Sequence, residues 1–240
     1  MDSVPQSAGQ CSNRILSLLP EGEYQALLPA LEFVETPLHF QVCERDQPIE
    51  YAYFPLSGEH SIVVTLIEGA AVEVGTVGYE GFSTVDLLLG ANSATETIVC
   101  EIPGAALRMP TAHFKQCIEK DTQLRRLCLR YLQAYLAQVS QSVACNRFHA
   151  VEHRMARWLL MSHDRVQKDE FCLTQEYLAT MLGVHRPSVT VAAGALQRAG
   201  FIKYTRGKVQ ILDREGLEGA ACECYAVVKG YFEKILGVSG

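Results

Sequence analysis

The chain has 240 residues, 48% of them hydrophobic and 20% charged, with no long biased tract. That is enough apolar side chain for one large core or two ordinary ones, which excludes the disordered and fibrous classes. The net charge of −6 argues against a polyanion binder until it is divided along the chain. Residues 1–146 carry 8 Lys/Arg against 17 Asp/Glu, whereas residues 147–240 carry 13 against 10, so a surplus of base is confined to the second part. No apolar run approaches the roughly 20 residues of a membrane span, and the first twenty residues lack the pattern of a secretory signal. A cytoplasmic protein with no membrane partner is the expectation. Nine cysteines, odd in number and without a CxxC pair, point to reduced thiols that serve mostly as small core residues.

Residues 12–28 read as one or two short helices interrupted at Pro20. From Leu31 to Met109 short β-rich runs (LHFQVCE, SIVVTL, AVEVGTV) are separated by turn signals at Arg45-Asp46, Ser57-Gly58 and Glu68-Gly69, the pattern of a sandwich or barrel. Leu38, Phe40 and Val42 alternate with His39, Gln41 and Cys43, which predicts a half-buried strand. At Pro110 the period changes. Residues 121–145 contain no Gly or Pro, and Leu129, Leu132, Leu136, Val139 and Val143 recur at spacings of 3 and 4, which predicts a long helix with a seam for a partner helix. Leu124, Cys128, Tyr131 and Tyr135 form a neighbouring stripe that would cover the β domain. Cys145-Asn146-Arg147 is the expected hinge, followed by an amphipathic helix with Val151, Met155, Trp158 and Leu159 on its buried side.

Residues 174–200, TQEYLATMLGVHRPSVTVAAGALQRAG, have the spacing of two short helices crossing steeply. Thr174 can cap the first helix, and Glu176 in its first turn complements the dipole. Leu178, Leu182, Val184, Val189 and Ala192 would fill the joint, with Ala179 small at the crossing. Gly183 supplies a positive φ for the turn and Pro187 suits the start of the second helix. Phe201 to Ile211 then read as a hairpin with a basic tip, so that Lys203, Arg206 and Lys208 would lie beside phosphates. The second helix would present His185, Arg186, Ser188, Thr190 and Val191 to a major groove. There Arg186 can donate two bonds to guanine, the hydroxyls are permissive, and Val191 can touch a thymine methyl.

On these residues the chain resembles the Crp/Fnr family of bacterial transcription regulators, over residues from about 30 to 213. The specific parts are LTQEYLATMLGVHRPSVTVAAGALQRAGFI and the VGYEGF segment of the β domain. The resemblance implies an α+β fold with three parts: an N-terminal β-roll like a cyclic-nucleotide-binding jelly roll (1–110), a long dimerisation helix (111–146), and a C-terminal winged helix-turn-helix with a helical extension (147–240). It implies double-stranded DNA as partner, contacted by Thr174 and Gln175 as well as the residues above, with Thr174 on a phosphate and Arg186 on a base. A homodimer on a palindromic site is expected, with RNA polymerase as a further partner. Where the best-known members place a base-reading Glu this chain has Pro187, and where they place an Arg it has Val191, so a different operator is expected.

The resemblance also sets an expectation for the effector pocket. Gly78, Glu80 and Gly81 match the Gly-Glu turn that holds a ribose in cyclic-nucleotide-binding members, but the stretch LLLGANSATETIVC after it has no arginine for the phosphate. Residues 46–107 hold nine acids and no Lys or Arg, an unfavourable place for a phosphodiester unless Arg125, Arg126 or Arg130 of the long helix reaches in. No cofactor and no cyclic nucleotide is therefore expected. No metal site is expected either: His149 and His153 share a helical face without a third ligand, and Cys222 and Cys224, two apart on a helix, would point about 200° apart around its axis. An iron–sulfur sensor finds no counterpart, since Cys11 stands alone at the N-terminus. There is no nucleophile–base pair or phosphate loop, so an enzyme is not expected. A thiol-, haem- or metal-sensing regulator of the same fold is a second reading, and a winged helix used only as a protein-binding module is a third.

Overall fold

The computed structural model describes residues 3–237. The outer ends of the first and last expected segments, 1–2 and 238–240, lie outside the described residues. The chain begins with two short helices, α1 (Arg14–Ser17) and α2 (Glu21–Leu27), followed by strands β1 (Glu32–Thr36), β2 (Gln41–Cys43), β3 (Tyr51–Thr65), β4 (Ala71–Val77) and β5 (Thr97–Pro110). These form an antiparallel sheet in the order β1-β5-β3-β4, with β2 also on β5. Two of the expected turns are turns: Asp46 has φ 64° and Gly69, between β3 and β4, has φ 86°. The third is not. Ser57-Gly58 lies inside β3 as a bulge, where the register against β5 shifts and Gly58 at φ 76° lies against the Ile102 carbonyl and Gly104 backbone. The Leu38–Cys43 alternation is also shorter than its pattern: only Gln41–Cys43 pairs, because His39 takes φ 64° and Leu38 stays exposed.

Helix α3 (Thr111–Glu119) leads into α4 (Gln123–Phe148), which Thr122 caps by accepting from the Arg125 N–H. The expected hinge at Cys145–Arg147 is helical, and the break falls at His149-Ala150, where the backbone turns extended before α5 (Val151–Val166). Leu124, Cys128, Tyr131 and Tyr135 are buried as predicted. Tyr131 belongs to an aromatic core, its ring 5.7 Å from Phe82 and 6.2 Å from Phe232, with Phe54 stacked on Phe82 and Phe114 tilted against it. Asn13 ties the N-terminal segment to this core. Its side chain caps α1 at the Leu16 N–H and donates to the carbonyls of Pro55 and Gly81 at 2.9 and 2.7 Å.

The second core contains β6 (Glu170–Cys172), α6 (Gln175–Leu182), α7 (Arg186–Arg198), β7 (Ile202–Thr205), β8 (Lys208–Ile211) and α8 (Arg214–Ala220), with the buried face of α5. The strands make a small sheet in the order β6-β8-β7. The last helix, α9 (Cys224–Leu236), departs from the expected grouping of 147–240. Only its start, at Tyr225, joins the winged core, while Val228, Phe232 and Leu236 are packed in the core of the β domain beside α4. Its apolar stripe has the length to leave one core and enter the other.

Two further expectations fail at this junction for the same reason, that a helix ends where the sequence pattern continues it. Cys222 and Cys224 do not share a helix: α8 ends at Ala220, Ala221 is extended, and α9 begins at Cys224, so both thiols turn toward Cys145 of α4. His149 and His153 do not share one either. His149 faces Cys224 from the end of α4, and His153 on α5 binds the Ala220 carbonyl at 2.7 Å.

Two glycines separate packing from propensity. At Gly81 a Cβ would overlap the Tyr131 ring, so Gly81→Ala is expected to lower the unfolding free energy by about 1–3 kcal/mol in urea titration. Gly230 inside α9 has open space around it, and Gly230→Ala is expected to raise that energy by about 0.5–1 kcal/mol.

Candidate functional site

Helices α6 and α7 have the local construction that their residues dictate. Thr174 accepts from the Tyr177 N–H at 3.2 Å to cap α6, Gly183 takes φ 58° to end it, and Pro187 sits in the first turn of α7, where its missing N–H costs nothing. Leu178, Leu182, Val189 and Ala192 are buried in the joint, with Val184 half-buried. The N-terminal part of α7 is open. His185, Arg186, Thr190 and Val191 are exposed and Ser188 half-exposed, with the Val191 side chain 61% exposed although apolar. Arg186 rests on Glu176 at 2.9 Å, an exposed pair worth little and readily exchanged for another acceptor. Thr190 donates to Gln175 at 3.1 Å, which places these two beside Thr174 on one surface. At the tip of the β7–β8 hairpin, Arg206 and Gly207 take φ 50° and 78°, the pattern of a type I′ turn. Arg206, Lys203 and Lys208 are exposed there, Lys208 within 3.2 Å of Glu170.

Residues 153–220 match the family described as the Crp-like helix-turn-helix domain. The transcriptional regulator SdrP of Thermus thermophilus is 26% identical over 186 residues, covering 72% of this chain and 85% of that protein. The fold is that of a putative Crp/Fnr-family regulator from Eubacterium rectale (17% identity, TM-score 0.67, 86% of this chain and 96% of that one). A Crp/Fnr regulator from Thermus thermophilus is similar too (23% identity, TM-score 0.64, 79% and 98%). Residues 153–220 thus resemble a Crp-like helix-turn-helix domain, and the chain as a whole shares its fold with Crp/Fnr-family structures. The matched part contains α6 and α7, so the helix-turn-helix is of the Crp-like kind.

The expected effector pocket around Gly78, Glu80 and Gly81 is lined from both domains. Glu80 is buried and accepts from the Gly78 N–H at 3.1 Å, while Gly81 lies against the Tyr131 ring. An arginine does reach this turn: Arg165, from the last turn of α5. It donates to Glu80 at 2.9 Å, to the Thr76 hydroxyl, and to Gln138 of α4 at 3.1 Å, and it stands 3.8 Å from Glu59. Arg125, Arg126 and Arg130, the residues with the nearest sequence claim to this role, are exposed, and Arg126 is held by Asp121 at 2.5 Å. Proximity along the long helix did not decide the partner; Arg165 arrives because α5 folds back over β3. The cavity left beside it measures about 70 Å³, lined by Tyr79, Glu80, Met161, Arg165, Tyr225 and Phe232.

Other contacts seat the winged domain on the same face. Trp158 donates to Glu73 at 3.0 Å, and Tyr177 of α6 donates to Ser61 at 2.7 Å, with Ser61 in turn on Glu73. Burial pushes the Glu59 carboxyl up to about 7 against the pull of Arg165, and burial together with the Glu59 charge pushes Glu73 and Glu101 up to about 8. Sequence reasoning missed Arg165, Trp158 and Tyr177 as site residues, since each reads as an ordinary position of an amphipathic helix. It also missed the convergence of Cys145, His149, Cys222 and Cys224. On α4 the seam residues divide: Leu129, Leu136 and Val143 are 44%, 55% and 67% exposed, Val139 is half-buried, and Leu132 is buried.

Replacing Arg165 by Leu leaves the buried Glu80 without its counter-charge and is expected to cost about 3–5 kcal/mol in urea unfolding. The raised carboxyls also set a pH trend. Folded, Glu59, Glu73 and Glu101 keep their protons up to pH 7–8; unfolded, they lose them near 4.5. Their contribution is thus greatest below pH 4.5 and is lost as pH rises through 7 and 8. The urea midpoint is expected to fall between pH 5.5 and 8.5, and to fall less in Glu73→Gln.

Proposed function

We propose that this regulator binds a palindromic DNA site as a homodimer formed along α4, and that its β domain does not answer to cyclic nucleotides. The observation that carries the DNA reading is the open N-terminal part of α7, next to Gln175, which accepts from Thr190, and Thr174, with the tip of the basic hairpin at Gly207 held against Leu173 and Thr174. In this reading His185, Arg186, Ser188, Thr190 and Val191 meet base edges, with Arg186 bidentate to a guanine, while Thr174, Gln175, Lys203, Arg206 and Lys208 hold phosphates. The dimer reading is supported by Leu129, Leu136 and Val143, which recur every seven residues as an apolar stripe facing outward. Such a dimer sets two half-sites about 34 Å apart. Acting from a cytoplasmic promoter, it would address RNA polymerase.

The effector reading is supported by Arg165. A guanidinium already bonded to Glu80, Thr76 and Gln138 is committed to the protein's own groups, and a cavity of about 70 Å³ is far below the roughly 300 Å³ or more of an ordinary ligand pocket. The seating of the winged domain on β3 and β4 through Arg165, Trp158 and Tyr177 is then the two-state element, since any ligand that binds the seated and unseated forms unequally shifts the reading helices.

Selection of DNA sites from a random pool at one fixed salt concentration, with and without cyclic AMP, tests this. A palindrome recovered in both conditions is the expected result; recovery only with cyclic AMP overturns the effector reading, and no enrichment in either overturns the DNA reading. On the selected site, Arg186→Ala is expected to relax one base position by about 1–3 kcal/mol, while Lys208→Ala weakens all sequences alike and lowers the salt slope by about one. Leu136→Asp is expected to give monomers in sedimentation; an unchanged dimer would place the interface elsewhere.

A further inference from the structure

At the end of the long helix, four side chains from separate turns meet. Cys145 lies in the last turn of α4 and His149 caps it four residues on; Cys222 lies in the turn between α8 and α9, and Cys224 is the first residue of α9. Their donor atoms all lie within 4.8 Å of one another. The Cys145 and Cys222 sulfurs are 3.5 Å apart, and the Cys224 sulfur is 3.5 Å from Nδ1 of His149. Four donors around a tetrahedral zinc, with bonds of about 2.3 Å to sulfur and 2.0–2.1 Å to nitrogen, stand about 3.5–3.8 Å from each other. We propose that Cys145, His149, Cys222 and Cys224 bind one Zn²⁺ ion in a closed Cys₃His site joining the end of the long helix to the start of the last.

The surroundings suit that chemistry. The three cysteines are buried as a small cluster apart from both hydrophobic cores, so they are not filling a larger apolar interior. His149 presents Nδ1 to the sulfurs, while its Nε2 is 3.2 Å from the Glu223 carboxylate, the arrangement that orients an imidazole for a metal. Gln141 donates to the Cys224 sulfur at 3.0 Å, a bond that a thiolate accepts better than a thiol. Three sulfurs and one imidazole favour zinc over magnesium or calcium, which take oxygen ligands. With four protein ligands there is no open position, so the ion acts on structure rather than on a substrate. On binding, each cysteine passes its proton to water, so uptake strengthens with rising pH. The ion would fasten α9 to α4 beside the His149-Ala150 break, where the chain enters the winged domain. That regulatory consequence rests on the DNA-binding reading; the site does not.

The test is metal analysis of the untagged full-length chain purified without chelators, followed by cobalt exchange. One zinc per chain and the intense visible bands of tetrahedral thiolate-bound cobalt are expected. Cys145→Ser and Cys222→Ser should lose both signals, Cys172→Ser, at an exposed position elsewhere, should keep them, and His149→Cys should retain zinc through four sulfurs, which covers the case in which a serine variant fails to fold. Glu223→Gln is expected to weaken zinc affinity about 10–100-fold in competition with a chelator. A metal-free reduced protein that takes up no zinc, a Cys145–Cys222 disulfide in place of the ion, an iron–sulfur chromophore, or zinc retained in Cys145→Ser/Cys222→Ser would each overturn the proposal. Because no readout involves DNA, failure here is distinct from failure of the regulator reading.

Discussion

The structure depends on how buried carboxylates of the β domain are compensated. Glu59, Glu73, Glu80 and Glu101 are all drawn into or beside the seam between the two domains, where a bare carboxylate is costly. Two solutions are used together. Arg165 brings a guanidinium from α5 to Glu80, while burial keeps Glu59, Glu73 and Glu101 protonated into the neutral range, with Glu73 also taking hydrogen bonds from Trp158, Ser61 and Tyr177. Each partner from the winged half is a residue whose withdrawal would expose a group that water would rather ionise. Contact between the domains is thereby tied to protonation and charge, not to apolar area alone.

Around that seam the long helix serves three surfaces. One face carries Leu124, Cys128, Tyr131 and Tyr135 into the aromatic core; another takes α9, through Val228 and Phe232; the third leaves Leu129, Leu136 and Val143 uncovered. A helix held on two sides and bare on the third is rigid where the domains meet it. Gln138 shows the connection at atomic scale, donating to the Thr76 carbonyl while accepting from Arg165. A shift in any of the three elements is felt by the others, which is the property a switch between helix packings requires.

The last helix gives the winged domain a second attachment. Tyr225 binds Asp164 and Arg214 within the winged half, and two turns on Phe232 is packed against Tyr131 in the other core. With Cys222 and Cys224 at its start and Arg165 alongside, α9 spans the joint between the domains, and the ends of the joint are held by different chemistry: thiols and an imidazole at one, an ion pair at the other.

The helix-turn-helix was legible in the residues because its determinants are local. A Thr cap, a glycine at positive φ, a proline in a first turn and apolar side chains at spacings of three and four act within one or two helical turns, and the chain folds as they direct. The buried stripe of α4 and the basic hairpin were legible for the same reason, whereas the expected outward seam is divided, Leu129, Leu136 and Val143 being exposed and Leu132 buried. What the tertiary structure alone decided lies where helices end and where distant segments meet. The periodicity of 217–235 continues through a helix break at Ala221, so two cysteines assigned to opposite faces turn to one side; Ser57-Gly58 looks like a turn but is a bulge, because β5 offers a partner on both sides of it. Arg165 is the clearest case. Its neighbours in sequence mark it as an exposed cation near a helix end, and only the fold of α5 over β3, some 85 residues away along the chain, brings it to the carboxylate that needs it. Local pattern specifies an element; which charges it must neutralise is settled by what the rest of the chain buries against it.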